Sequence, residues 1–225
     1  IANTVDIANA SRSMKDKELE AAKENGVVAV EIAIAIDGLS VALNAELPIE
    51  SLTTEQIGAI FRGDINNWSE VGGPNKVISL YGRQPSSGTY VFFQEHVLGN
   101  KNYSPKMKQM NGNAQIIEGI KADQSAIGYI GVGYVLDENG TVQKGLKVLK
   151  VAAEKGAEPV DPLVAENVKS GKYPIARALY QYSNGKPKKS VKDFIAFELS
   201  PEGQKLVEDM GFYPVAGAYL EQNKK

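Results

Sequence analysis

Residues 27–42 read VVAVEIAIAIDGLSVA, a nearly continuous apolar run broken at Asp37-Gly38. A strand of that composition is apolar on both faces and needs cover on both. The run reads as two buried strands or one bent one. Further apolar runs at 77–81, 126–134, 146–151 and 175–182 add strands. Helices fall between them. Ser13-Met-Lys-Asp16 is a capping box for a helix over 14–25 that Asn25-Gly26 closes, and Thr53-Thr-Glu-Gln56 caps another that ends at Gly63. A helix over 88–98 stops at Gly99-Asn100, and one covers 114–122. Ser104-Pro105, Ser190 with Asp193, and Ser200-Pro201 each mark a further start. Strands alternating with helices predict an α/β architecture with parallel-rich sheets. In such sheets ligands sit at the carboxyl ends of strands, beside helix N-termini.

Composition narrows the chemistry. The 225 residues suit one large domain or two lobes. No run approaches the ~20 apolar residues of a membrane span. A net charge of −2 gives no field to recruit nucleic acid. With no cysteine, disulfides, thiol nucleophiles and thiolate metal sites are all excluded. His96 is the sole histidine, so multi-histidine metal sites are excluded too. The opening Ile1-Ala-Asn-Thr-Val reads as the end of a helix running into a strand, which predicts a processed or trimmed form.

The stretch YGRQPSSGTY, residues 81–90, stands where a strand hands over to a helix. A helix start carries backbone N–H groups without intrahelical partners and about half a positive charge. An oxyanion placed there collects those donors. Ser86, Ser87 and Thr89 add hydroxyls, Gly88 lets a ligand approach the backbone, and Arg83 offers a planar fork matched to phosphate or carboxylate. Pro85-Ser-Ser-Gly is equally a turn with a serine cap. The spacing is not that of a P-loop. A second strand–turn–helix, with Ser11 and Arg12, lies in DIANASRSMKDKE. It reads either as an exposed arginine beside capping serines or as a second anion contact. Two such turns in one chain share an explanation if both face one anion.

Other candidates have plainer readings. His96 lies about two turns past Thr89, too far along the axis to touch an anion at the helix start. Trp68 reads as an anchor beneath its loop in preference to a ligand-stacking residue, and Tyr129, Tyr134 and Tyr173 as core or as cleft lining. NGKPKKSVKD is a solvated turn and helix start. No carboxylate pair stands out as an acid/base couple.

Four separated stretches, VDIANASRSMKDKE, LTTEQIGAIFRGDINNWSEVGG, YGRQPSSGTYVFFQE and AIGYIGVGY, together resemble the phosphate-binding proteins of the high-affinity phosphate ABC transporter, the PstS family. The similarity continues through YPIARALYQY and LSPEGQKLVEDMGFYPV. It implies a two-lobed type II periplasmic binding fold. Each lobe is then a mixed sheet flanked by helices, with a two-segment hinge between them. Residues 1–44 and 175–225 would form the first lobe, its N-terminal part missing, and 45–174 the second. The resemblance implies capture of inorganic phosphate in the periplasm or at the cell surface, with or without a lipid anchor, and delivery to an ABC permease. It implies no enzyme activity, cofactor, metal or nucleic-acid partner, and a monomer unless another chain supplies the missing elements. The family's Arg-x3-Ser-Gly-Thr segment maps onto Arg83, Ser87, Gly88 and Thr89, with Ser86 where the best-known members have glycine. The first-lobe turn maps onto Ser11 and Arg12.

This chain departs from the best-known members at Arg12, where they carry an aspartate that accepts the proton of hydrogen phosphate and so rejects sulfate. It is similar in this to the family branch with Ser-Arg there. Pro85 replaces an aspartate that orients the arginine. The family's first strand and helix, which add phosphate contacts, are absent. The alternatives are an oxyanion-binding or sensing protein without a transport role, sulfate-like in preference, and a phosphatase or esterase that uses a serine of the same loop.

Overall fold

The computed structural model describes residues 4–223; the first three residues, part of the predicted helix end, lie outside them. The chain divides into two compact units, Ile1–Asp37 with Arg177–Lys225 and Gly38–Ala176. It therefore passes from one unit to the other twice.

The elements run in order as β1 (Ala8–Ala10), α1 (Asp16–Glu24), β2 (Ala29–Asn44), β3 (Ser51–Thr53), α2 (Thr54–Arg62), β4 (Ser79–Arg83), α3 (Gly88–His96), β5 (Lys108–Met110) and α4 (Asn113–Ala122). There follow β6 (Ala126–Gly131), α5 (Val132–Val135), β7 (Leu146–Val148), β8 (Lys150–Ala152), α6 (Ala165–Lys169), β9 (Ala176–Asn184), α7 (Lys189–Glu198), α8 (Pro201–Asp209) and α9 (Ala218–Gln222).

The apolar run at 27–42 forms one continuous strand, β2, and Asp37-Gly38 does not interrupt it. Leu39, Val41, Ala42 and Leu43 are wholly buried, as a strand covered on both faces requires. At the crossing, Asp37 and Arg177 form a buried ion pair, with Arg177 Nη2 3.0 Å from Asp37 Oδ2. Burial pushes the Asp37 carboxyl up, against the pull of the guanidinium.

In the first unit β9 lies between β1 and the start of β2, and pairs antiparallel with β1. Ala33, Ala178, Tyr180, Tyr182 and Val215 form its core. In the second unit β2 pairs antiparallel with β6 and β7, while β4 pairs parallel with both β6 and β5. Helix α4 covers this sheet through Ile116, Ile117 and Ile120, packed with Tyr81, Ala126 and Ile130. The short β3 and β8 form a separate parallel pair.

The sheets are mixed, not parallel-rich. The antiparallel returns through β6, β7 and β9 carry the same buried composition as parallel strands, so sequence does not distinguish them. Other expectations also shift. Helix α1 starts at Asp16, with Lys15 at the cap position. The Ser104-Pro105 signal closes a turn, in which the Met107 N–H donates to Ser104 O at 3.0 Å, and no helix follows. The strand expected over 126–134 ends at Gly131 and gives way to α5. The run at 146–151 splits at Leu149 into β7 and β8, which join different sheets. The caps at Thr53 and Ser200 form as expected, and Gly63 closes α2 with φ 85°.

Candidate oxyanion site

Strand β4 ends at Arg83, flanked on both sides by parallel strands. Pro85 then occupies the second position of a turn in which the Ser87 N–H donates to Gln84 O at 3.0 Å. Ser87 caps α3, its Oγ accepting the Thr89 N–H at 3.2 Å. The stretch is thus a capped turn, and it sets a helix start at the carboxyl end of a sheet strand. Arg83, Ser86, Ser87, Gly88 and Thr89 come together in this one strand–turn–helix. Ser86 is exposed at the tip, and the other four are half-buried.

Arg83 is fixed from below. Its backbone N–H donates to the Tyr129 hydroxyl at 3.0 Å. Tyr129 is wholly buried and stacks on Phe93, the ring centroids 4.2 Å apart. Burial pushes its hydroxyl up to about 12, so it stays neutral. Gly82 permits this approach: a Cβ there would lie 2.9 Å from the Tyr129 ring. Among the described residues, Arg83 Nε is buried and has no hydrogen-bond partner. A buried guanidinium N–H without an acceptor is costly, so this donor calls for one.

Ser11 and Arg12 lie in the first unit, in the turn between β1 and α1. Arg12 is not an exposed cap competitor. Its two terminal nitrogens each donate to one Glu18 carboxylate oxygen at 2.8 Å. Glu18 also accepts the Lys15 N–H at 2.8 Å, taking the N-terminal role assigned to Ser13 and Asp16. Hydrogen bonding to Arg12, then to the Lys15 backbone, holds the Glu18 carboxyl at about 2.

The remaining candidates separate cleanly. His96 Nδ1 lies 3.0 Å from Phe92 O, in the last turn of α3. Trp68 is wholly buried and donates to Ser125 O at 3.0 Å, an anchor as expected. Tyr173 is buried and donates to Leu39 O at 2.9 Å, whereas Tyr134 is half exposed. Among the described residues no group of three or more His, Asp or Glu could hold a metal ion, and no helix is long and apolar enough to cross a membrane. Sequence reasoning missed Glu18 beside Arg12 and Tyr129 as the support of Arg83; it also gave no place to Asn113, whose Oδ1 is buried without a partner among the described residues. Only Glu18 left a signal, an acid three positions past a helix cap.

Two α/β units joined by a chain that crosses twice define a class of binding proteins, and a family model described as the PBP superfamily domain matches residues 1–202. The chain is 29% identical to the phosphate-binding protein PstS of Pseudomonas aeruginosa, over 97% of this chain and 71% of that protein. It is 33% identical to PstS of Borreliella burgdorferi, over 92% of this chain and 71% of the relative. Among solved structures, a protein of Clostridium perfringens crystallised with bound phosphate is 31% identical and superposes with a TM-score of 0.74, over 93% of this chain and 79% of that one. This chain belongs to the family of the PstS phosphate-binding proteins, and its fold is the type II periplasmic binding fold.

Proposed function

We propose that this protein binds inorganic phosphate outside the cytoplasmic membrane and delivers it to an ABC-type phosphate permease, as a single chain and without enzymatic turnover. The observation that carries this reading is the partnerless Arg83 Nε at the carboxyl end of β4, beside the start of α3. A phosphate oxygen supplies the acceptor that this donor lacks. Ser87, Thr89 and the backbone at Gly88 complete the second unit's contribution, with Ser86 at the rim. Ser11 and Arg12 are the first unit's contribution, with Glu18 holding the Arg12 fork in one orientation. The names of the relatives and the phosphate bound in the Clostridium protein support the choice of anion. The two lobes of the mechanism are residues 1–44 with 175–225, and 45–174.

A serine hydrolase at the same loop is not favoured, because nucleophilic serine needs an adjacent base. His96 is the chain's sole imidazole, and it is spent on Phe92 O at the far end of α3.

A hydrogen bond to a charged group contributes ~1.5–3 kcal/mol. Arg83→Ala is therefore expected to weaken phosphate binding at least tenfold, about 1.4 kcal/mol, in a calorimetric titration. Unchanged affinity would remove Arg83 from the site and with it the main support for this reading.

A further inference from the structure

We propose that Asn113 is the acceptor that recognises the proton of hydrogen phosphate and so separates phosphate from sulfate. The inference rests on the phosphate reading of the Arg83 site. Among the described residues, two buried side-chain atoms of the second unit lack a hydrogen-bond partner, Arg83 Nε and Asn113 Oδ1. One is a donor and the other an acceptor.

Both lie at the carboxyl ends of adjacent strands, Arg83 as the last residue of β4 and Asn113 three residues past the end of β5. Strands β4 and β5 are parallel neighbours, with Arg83 opposite Met110 in register. The Gln84 N–H donates to Met110 O at 3.2 Å, which keeps the two strand ends together. Asn113 follows Met110 by three residues and opens α4, just as Gly88 opens α3 after β4. The cap position of α4 is Gly112, which has no side chain to cap with, so the first side chain of that helix start is Asn113 itself.

A ligand at this edge that satisfies both atoms must accept one hydrogen bond and donate another. Hydrogen phosphate does both, because it carries oxyanion oxygens and one P–OH. Sulfate at neutral pH has no proton to give, so it would leave Oδ1 unpaired and facing an anionic oxygen. A site built to bond a ligand hydroxyl discriminates strongly against the analogue that lacks it, because its own buried group then goes unsatisfied. The assignment also answers the substitution at position 12. Arg12 can only donate, and its fork is engaged by Glu18, so an acceptor for the phosphate proton has to come from elsewhere in the chain.

The test is the ratio of sulfate to phosphate dissociation constants, measured by titration calorimetry for the whole chain and its Asn113→Ala, Asn113→Asp and Arg83→Ala variants. The ratio is expected to fall at least tenfold in N113A, through loss of phosphate affinity with little loss for sulfate. It is expected to be retained in N113D, which keeps an acceptor. A ratio in N113A equal to that of the unmodified chain overturns the inference. If N113A does not fold, Asn113→Leu, close in volume and without an acceptor, decides: a ratio at least tenfold lower supports the role of Asn113 and an unchanged one overturns it. Failure of the phosphate reading looks different, because the unmodified chain would then show no saturable phosphate binding. Phosphate binding that R83A weakens, together with an unchanged ratio in N113A, overturns the Asn113 assignment alone.

Discussion

Glu198 and Glu18 are carboxylates of the same unit with opposite titration behaviour. Gln181 Nε2 donates to Glu198 Oε1 at 3.0 Å, and the remaining polar atom of each side chain, Glu198 Oε2 and Gln181 Oε1, is buried without a partner among the described residues. Burial raises the Glu198 pKa, against the opposing hydrogen bond from Gln181. A proton on Oε2 would turn one orphan acceptor into a donor. A group whose folded pKa is raised stabilises fully below its unfolded value, and that contribution is lost as pH rises through the folded pKa. Glu198→Gln is therefore expected to raise the melting temperature at pH 8 and to flatten the stability that the native chain gains as pH falls toward the ordinary carboxylate range. A lower melting temperature for E198Q at pH 8 would contradict this. Glu18 runs the other way. Its stabilisation is present above the ordinary carboxylate range and is lost only as pH falls toward about 2. At this scale the sequence was least legible. Arg12 and Glu18 are six residues apart, and nothing in their spacing shows that the fork turns back onto its own helix. Arg83 was legible because a strand end and a serine cap bracket it.

Among the elements, β2 carries the most information. Its apolar run predicts burial on both faces, and the strand is buried on both from Ile36 onward. The acid inside it was readable as a break, yet it is a partner: Asp37 accepts from both Nε and Nη2 of Arg177, at 3.2 and 3.0 Å, where the chain leaves and re-enters the first unit. Removing one partner of a buried pair leaves the other charge uncompensated, at a cost of ~3–5 kcal/mol. Asp37→Ala is expected to lose that much in urea unfolding, and the apolar pair Asp37→Leu with Arg177→Met to recover most of it. A cost below about 1 kcal/mol for D37A would mean that solvent reaches the pair. The elements missed in sequence share a cause. Strands β3 and β5 are three residues each, too short for a period of two to register. The Ser104-Pro105 signal failed because a serine cap and a turn make the same local bond, here from the Lys106 N–H to Ser104 Oγ at 3.3 Å.

For the molecule as a whole, the α/β class and the alternation of elements were legible from hydrophobic period and caps. The two-unit organisation was reached through resemblance, because no linker or composition shift marks Asp37-Gly38 or Ala176-Arg177. The site was half legible. Its strand–turn–helix is local in sequence and could be read. Its support, Tyr129 under Arg83, is brought in from β6 by sheet pairing and could not. The central claim is that the Arg83 edge of the second unit binds phosphate. Equilibrium titration of the chain with inorganic phosphate tests it most directly. The account predicts saturable binding of one phosphate per chain; absence of saturable binding, with the chain folded, would contradict it.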